Sequence, residues 1–94
     1  MRIAVLGTGR IGRMLVRELA RSSIASEVLA VDGSAAAVAE AVALATGDTA
    51  QASHQTPEET GRGPRLRSVT VDLGSYETLV ELLRGVDVAI AALP

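Results

Sequence analysis

Three glycines near the amino terminus have the spacing that a phosphate-binding turn requires. They are Gly7, Gly9 and Gly12, in the sequence Gly-Thr-Gly-Arg-Ile-Gly. In such a turn the first glycine permits a tight bend, the second leaves room for a pyrophosphate, and the third lets a helix pack closely on a strand. The backbone amides of Arg10, Ile11 and Gly12 would then face the phosphate at the positive end of the helix dipole.

The residues around these glycines supply the elements that must position them. Residues 2–6 form a short apolar run that predicts a buried strand, and apolar residues at helical spacing predict a helix over residues 10–22. A second predicted strand, residues 27–32, ends in Asp32, which follows Gly12 by 20 residues. A dinucleotide-binding unit places its ribose-binding acid at this distance. The glycine motif alone is a weak signal, whereas strand, helix and acid together predict a dinucleotide site.

Asp32 also bears on which dinucleotide would bind. Its carboxylate would accept hydrogen bonds from both ribose hydroxyls of an adenosine, whereas a 2′-phosphate would meet a like charge. We therefore expect NAD as the cofactor. NADP stays open as the alternative, because Arg10 could reach a phosphate and the small residues Gly33 and Ser34 would leave room for one.

Two further segments, each at the end of a predicted strand, are expected to lie near the glycine turn and Asp32. Asp72 could accept the adenine amino group and Leu73 could cover the adenine ring, or Asp72 could simply be a turn residue that caps the next helix together with Ser75. Residues 91–94 end the last predicted strand beside the glycine turn. Their small side chains would admit the ribose-nicotinamide half of a cofactor, or they are ordinary core.

The middle of the chain predicts a second helix followed by a long loop. Ser34 is placed to cap an alanine-rich helix over residues 35–45, and Gly47 is placed to end it. Residues 46–64 contain both internal prolines together with Gly, Ser, Thr and Gln, and they predict a surface loop in which Pro57 can begin a helical turn.

The last third of the chain predicts a strand, a helix and a strand. Residues 66–72 are polar enough for an edge strand. Residues 76–84 have a broad apolar face and predict a helix capped by Ser75 and stopped at Gly85. Residues 86–93 are nearly all apolar and predict a strand that is buried on both faces.

The resulting β-α-β-α-β-α-β order predicts a parallel sheet with right-handed crossovers and helices on both faces. The wiring of dinucleotide-binding folds gives strand order 3-2-1-4, so the expected fold class is an α/β Rossmann-type sheet, incomplete because it comprises the N-terminal half plus one strand. The fourth strand is too apolar for a free edge. We therefore expect residues 1–94 to be a dinucleotide-binding domain excised from a longer chain, or to pair with another copy through strand 4.

Composition excludes several other functions. The chain has 94 residues, a net charge of −2 and no cysteine. It therefore has no disulfide framework or thiolate zinc site, and its charge is too small to indicate a nucleic-acid or membrane partner. No apolar run approaches the roughly 20 residues that span a bilayer. We expect a cytoplasmic protein whose site holds no metal and no catalytic residue.

The two ends of the chain resemble a known family. Residues 1–12, the triplet Val-Asp-Leu at 71–73 and the closing sequence RGVDVAIAALP are similar to the N-terminal domain of saccharopine dehydrogenase-like proteins. The resemblance implies an NAD- or NADP-binding domain of an oxidoreductase that acts on a carbon–nitrogen centre of an amino-acid-type substrate. It also implies a second, larger α+β domain that holds the substrate and mediates formation of a homodimer. The chain by itself is then expected to bind a cofactor and to catalyse nothing.

The residues and the resemblance together predict one set of cofactor contacts. The set comprises the glycine turn, the acid after strand 2 and the ends of strands 3 and 4, namely Gly7, Thr8, Gly9, Arg10, Ile11, Gly12, Asp32, Asp72, Leu73, Ala92, Leu93 and Pro94.

Two other functions fit the same residues. The ligand-sensing domain of potassium-transport regulators has the same glycine motif and distal acid, resembles this chain through strand 2, and senses nucleotides without turnover. The second alternative is a non-catalytic Rossmann interaction domain in which the fold persists and cofactor binding is lost.

Overall fold

A computed structural model describes residues 1–51 and 64–93 as a parallel sheet with helices on both faces. The strands lie in the order β3-β2-β1-β4 and every pair is parallel, which confirms the predicted α/β Rossmann-type class. Within these two ranges no helix is long and apolar enough to cross a membrane. The elements are β1 (Arg2–Leu6), α1 (Arg10–Ala20), β2 (Glu27–Asp32), α2 (Ala35–Gln51), β3 (Arg65–Thr70), α3 (Tyr76–Leu83) and β4 (Val88–Ala91).

The alternation of side chains along each strand divides the core into two layers. On one face, Ile3 and Val5 of β1 pack with Val16 of α1 and Val38 of α2. On the other face, Leu29 of β2 belongs to a second cluster, against which residues of α3 pack. β2 is buried on both sides, as an apolar strand inside a parallel sheet must be. This packing fixes where the carboxyl ends of β1 and β2 lie.

Helix α2 is longer than the sequence predicted. It continues through Gly47 to Gln51, so Gly47 does not end it and the first part of the expected loop is helical. Among the described residues, only Gly7 and Gly85 have a left-handed backbone. A glycine inside a helix costs only about 1 kcal/mol relative to alanine, and the alanine-rich sequence before it outweighs that cost. The remainder of the predicted loop, including Pro57, lies outside the described residues.

The predicted caps are confirmed. The Ser34 hydroxyl accepts a hydrogen bond from the Ala37 amide at 3.2 Å, and the Ser75 hydroxyl accepts one from the Thr78 amide at 3.4 Å. Gly85 follows α3 with a φ of 77°, the conformation expected of a glycine that ends a helix. These caps set the starting points of α2 and α3 at the carboxyl edge of the sheet.

The two edges of the sheet differ in polarity. β3 is the polar edge strand that the sequence predicted, with the exposed side chains of Arg65 and Arg67. β4 is shorter than predicted at both ends: residues 86–87 lie in the connection after α3, where the Val86 amide donates to the Leu83 carbonyl, and the strand ends at Ala91. β4 carries no charge, and the Val88 side chain is 39% exposed.

Candidate functional site

The glycine turn leaves β1 at the carboxyl edge of the sheet and enters α1. Gly7 has a φ of +97°, and its amide donates to the Val31 carbonyl of β2 at 2.7 Å. A Cβ at Gly7 would lie 2.8 Å from Leu93 Cδ2 and 3.0 Å from the Ala92 carbonyl oxygen. Both the backbone conformation and the available space therefore require glycine at this position.

Gly12 lies in the first helical turn of α1, directly against Gly7 at the start of the glycine turn. An ideal Cβ built on Gly12 would overlap the carbonyl oxygen of Gly7 and would lie 3.5 Å from Ala92 Cβ. The helix can approach the end of β1 this closely only because position 12 has no side chain. The close approach fixes the direction in which the first amides of α1 point.

Gly9, unlike Gly7 and Gly12, lies in open surroundings. It is exposed, its backbone is extended, and, its two chain neighbours aside, no atom of the described residues lies within 4 Å of the Cβ that a side chain would add. As the N-cap of α1 it has no side chain to accept from the first amides, and the first turn of the helix contains no acidic residue. The first amides of α1 therefore have no capping side chain, and Gly9, Arg10 and Ile11 border open space, as a bound phosphate would require.

A cavity of about 410 Å³ lies between the first turn of α1 and the end of β4. Its volume is within the range of small-molecule sites. The wall is mainly apolar, and Ile11 and Leu93 are 65% and 49% exposed. The lining residues are Gly9, Arg10, Ile11, Leu15, Ala91, Ala92 and Leu93.

Asp32 at the end of β2 is bonded to the glycine turn. Its Oδ2 accepts hydrogen bonds from the Thr8 amide at 2.7 Å and from the Thr8 hydroxyl at 3.2 Å. Its Oδ1 accepts from the Ser34 amide at 3.0 Å. The Thr8 amide, followed by the Ser34 amide, lowers the pKa of Asp32 below its ordinary value of 3.8, although partial burial acts in the opposite direction. The carboxylate is therefore ionised at neutral pH.

The segment after β3 lies beside Asp32, because the Val71 amide donates to the Asp32 carbonyl at 3.0 Å. Asp72 Oδ1 accepts from the Gly74 amide at 2.8 Å, and the Asp72 carbonyl accepts from the Ser75 amide at 3.1 Å. These are the bonds of a turn residue that precedes a cap. Leu73 is partly buried against the second core cluster. Contacts of Asp72 and Leu73 with adenine stay predictions.

The structure brings most of the predicted contacts to one edge of the sheet. Pro94 lies outside the described residues. Sequence reasoning missed Leu15, whose position four residues after Ile11 places both on one helix face and could have identified it. It also missed the bond between Thr8 and Asp32, for which the spacing of residues offers no signal.

Comparison with known proteins identifies the family. The family model of the saccharopine dehydrogenase NADP binding domain matches residues 3–94. No match was found among curated proteins or among solved structures. Because the family match covers nearly the whole sequence, the chain belongs to this family. The predicted resemblance is confirmed, and a nicotinamide dinucleotide is supported as the ligand. The potassium-transport regulator and the interaction domain are not favoured.

Proposed function

We propose that this member of the saccharopine dehydrogenase family binds the dinucleotide of an oxidoreductase across the carboxyl edge of its sheet. In this proposal the pyrophosphate lies at the amides of residues 10–12, the adenosine ribose lies at Asp32, and the nicotinamide half enters the cavity beside Leu93. One observation carries the proposal: the space in front of Gly9 is open, and the α1 amides facing it have no capping side chain. The printed family description, an NADP binding domain, supports it.

We further propose that NADH binds more tightly than NADPH. The ionised carboxylate of Asp32 would accept a hydrogen bond from a ribose hydroxyl and would repel a 2′-phosphate. Arg10 is exposed and is the one basic residue among residues 7–12, which makes it the candidate there for a phosphate partner. The preference therefore depends on whether the fixed charge of Asp32 outweighs the attraction of a flexible arginine.

The proposed reaction is hydride transfer between the nicotinamide and a carbon–nitrogen centre of an amino-acid-type substrate. A bound nicotinamide would supply or accept the hydride, while this chain orients it against the apolar wall of the cavity. Arg10 is the only charged residue in that wall within the described part of the chain, and its guanidinium donates hydrogen bonds but accepts none. The proposed role of residues 1–94 is therefore cofactor binding, and no residue among them is proposed as catalytic.

The domain organisation is also a proposal. We propose that residues 1–94 are the dinucleotide-binding domain of a longer chain that forms a homodimer. The uncharged edge of β4, with Val88 39% exposed, supports a further element or subunit covering it. The cytoplasmic location stays a prediction.

Titration with the two reduced cofactors tests the proposed function. The chain has no tryptophan, so nicotinamide fluorescence reports binding without interference. We expect saturable binding of NADH and weaker binding of NADPH. Asp32→Asn removes the charge, and since a hydrogen bond to a charged group contributes about 1.5–3 kcal/mol, we expect it to weaken NADH binding about tenfold or more. The same variant should bind NADPH at least as tightly as wild type does.

Glu18→Gln is the matched control for this experiment. It also removes one carboxylate, from an exposed position on α1 that pairs only loosely with Arg21 at 4.0 Å. We expect it to leave both affinities unchanged. A folded wild-type protein that binds neither cofactor would contradict the proposed function. Tighter binding of NADPH than of NADH would overturn the proposed cofactor preference alone.

A further inference from the structure

Thr8 stands out among the residues that the structure describes, because it is the one buried polar side chain in that part of the molecule. It is 2% exposed and lies between Gly7 and Gly9. Both of its donors, the amide and the hydroxyl, are directed at Asp32 Oδ2, at 2.7 Å and 3.2 Å. The side chain is therefore turned away from the space in front of Gly9 and toward the acid at the end of β2.

These bonds limit what Asp32 can offer to a ligand. A carboxylate has roughly four lone-pair positions, two on each oxygen. Thr8 occupies Oδ2 with two donors, and the Ser34 amide occupies one position on Oδ1. The Gly33 backbone also bonds to the carboxylate, so at most one position is left for a ligand. The sequence predicted that Asp32 accepts both ribose hydroxyls, whereas this arrangement leaves room for one at most.

We propose that Thr8 is a positioning residue that determines cofactor specificity by holding Asp32 Oδ2, so that the carboxylate presents Oδ1 to the ribose in one fixed orientation. The inference rests on the proposed function. A carboxylate fixed in this way accepts from a 2′-hydroxyl and cannot turn away from a 2′-phosphate. A carboxylate free to rotate would lose part of its attraction for the hydroxyl and part of its repulsion of the phosphate.

Thr8→Val and Thr8→Ser form a matched pair that tests this role. Valine keeps the shape of threonine and loses the hydroxyl, whereas serine keeps the hydroxyl. With NADH and NADPH titrated by nicotinamide fluorescence, we expect Thr8→Val to reduce the preference for NADH by about three- to tenfold, which is the size of one typical net hydrogen bond, because Asp32 keeps its bonds from the Thr8 and Ser34 amides. We expect Thr8→Ser to keep the wild-type ratio. A wild-type ratio in folded Thr8→Val would overturn the proposal.

A second measurement tests the coupling without any cofactor. The carboxyl carbon of Asp32, followed by NMR as the pH is lowered, reports the pKa of that group. We expect the pKa of Asp32 to rise in Thr8→Val relative to wild type and to stay unchanged in Thr8→Ser, because only valine removes a donor to the carboxylate. An unchanged pKa in Thr8→Val would show that the hydroxyl does not hold the acid. Should Thr8→Val fail to fold, Thr8→Ala carries the same expectations.

The two measurements separate this inference from the proposed function. If wild type binds neither cofactor, the proposed function fails, and with it the specificity role of Thr8. If wild type binds NADH with the expected preference and Thr8→Val changes neither the ratio nor the pKa of Asp32, the positioning role fails alone.

Discussion

Replacing Gly12 by alanine is expected to unfold the domain. The added methyl group would overlap the carbonyl oxygen of Gly7, which is backbone and cannot rotate out of the way. The clash is relieved only if α1 separates from the end of β1, and α1 carries Val16 of the main core cluster. We expect a loss of at least about 4 kcal/mol in the free energy of unfolding, which is exceptional for a single methyl group and large beside the total stability of a small domain. Urea unfolding followed by circular dichroism measures it.

Gly47→Ala is the matched control for this prediction. Gly47 lies inside α2, and beyond its own helix no atom of the described residues is within 4 Å of the position that its Cβ would take. The same substitution should therefore stabilise the protein by up to about 1 kcal/mol, because alanine is the better helix former. A Gly12→Ala protein as stable as wild type would contradict the observed packing of α1 on the glycine turn.

Replacing Gly9 by alanine is expected to leave the fold intact and to abolish most cofactor binding. Position 9 has extended backbone that any residue adopts, and apart from its chain neighbours a Cβ there meets no atom within 4 Å in the part of the chain that the structure describes. Alanine is a poorer N-cap than glycine, so we expect a stability loss within about 1 kcal/mol. The methyl group would occupy the space proposed for the pyrophosphate. We expect NADH affinity to fall by more than about tenfold, equivalent to about 1.4 kcal/mol or more.

Gly9→Ser separates loss of the cap from loss of space. Serine is a favoured N-cap, so this variant should be at least as stable as wild type. Its hydroxyl would accept from the α1 amides that the proposal assigns to the pyrophosphate, and NADH affinity should fall again. If both Gly9 variants bind NADH as tightly as wild type does, the pyrophosphate does not lie in front of Gly9.

The contrast between Gly9 and Gly12 explains why the motif has glycines at both positions. One glycine leaves space for a ligand, and the other leaves space for the protein's own backbone. Sequence spacing alone assigns these duties by analogy with other dinucleotide-binding turns. The geometry here supports a different experimental signature for each, with binding lost at position 9 and folding lost at position 12.

Much of the fold could be predicted from the sequence because its strands are short apolar runs between clear breaks. β1 and β2 have the predicted bounds, and the order 3-2-1-4 follows from the wiring of such folds. The end of α2 was wrong, because the local signal of Gly47 competes with the helix propensity of the alanines before it. Propensity and stop signals of similar size cannot be ranked from the sequence alone.

The candidate site, like the fold, could be predicted from the sequence only in part. The glycine turn and Asp32 are found from spacing, since each has a fixed place in a strand-turn-helix unit. The bond from the Thr8 hydroxyl to Asp32 could not be found, because it depends on which way a buried side chain turns between two loops. The contribution of Leu15 to the cavity depends on how far β4 extends beside α1, which periodicity does not give.

An NMR titration of the ¹⁵N-labelled protein with NADH tests the central claim most directly, because it locates the dinucleotide on the sheet. We expect the amide resonances of Arg10, Ile11 and Gly12 to shift most, with saturation at the affinity measured by fluorescence. The amides of Ser26 and Asp87, at the opposite end of the sheet where they donate to the carbonyls of residues 1 and 2, should not move. Saturable shifts that leave residues 10–12 unmoved would contradict a dinucleotide bound at the start of α1.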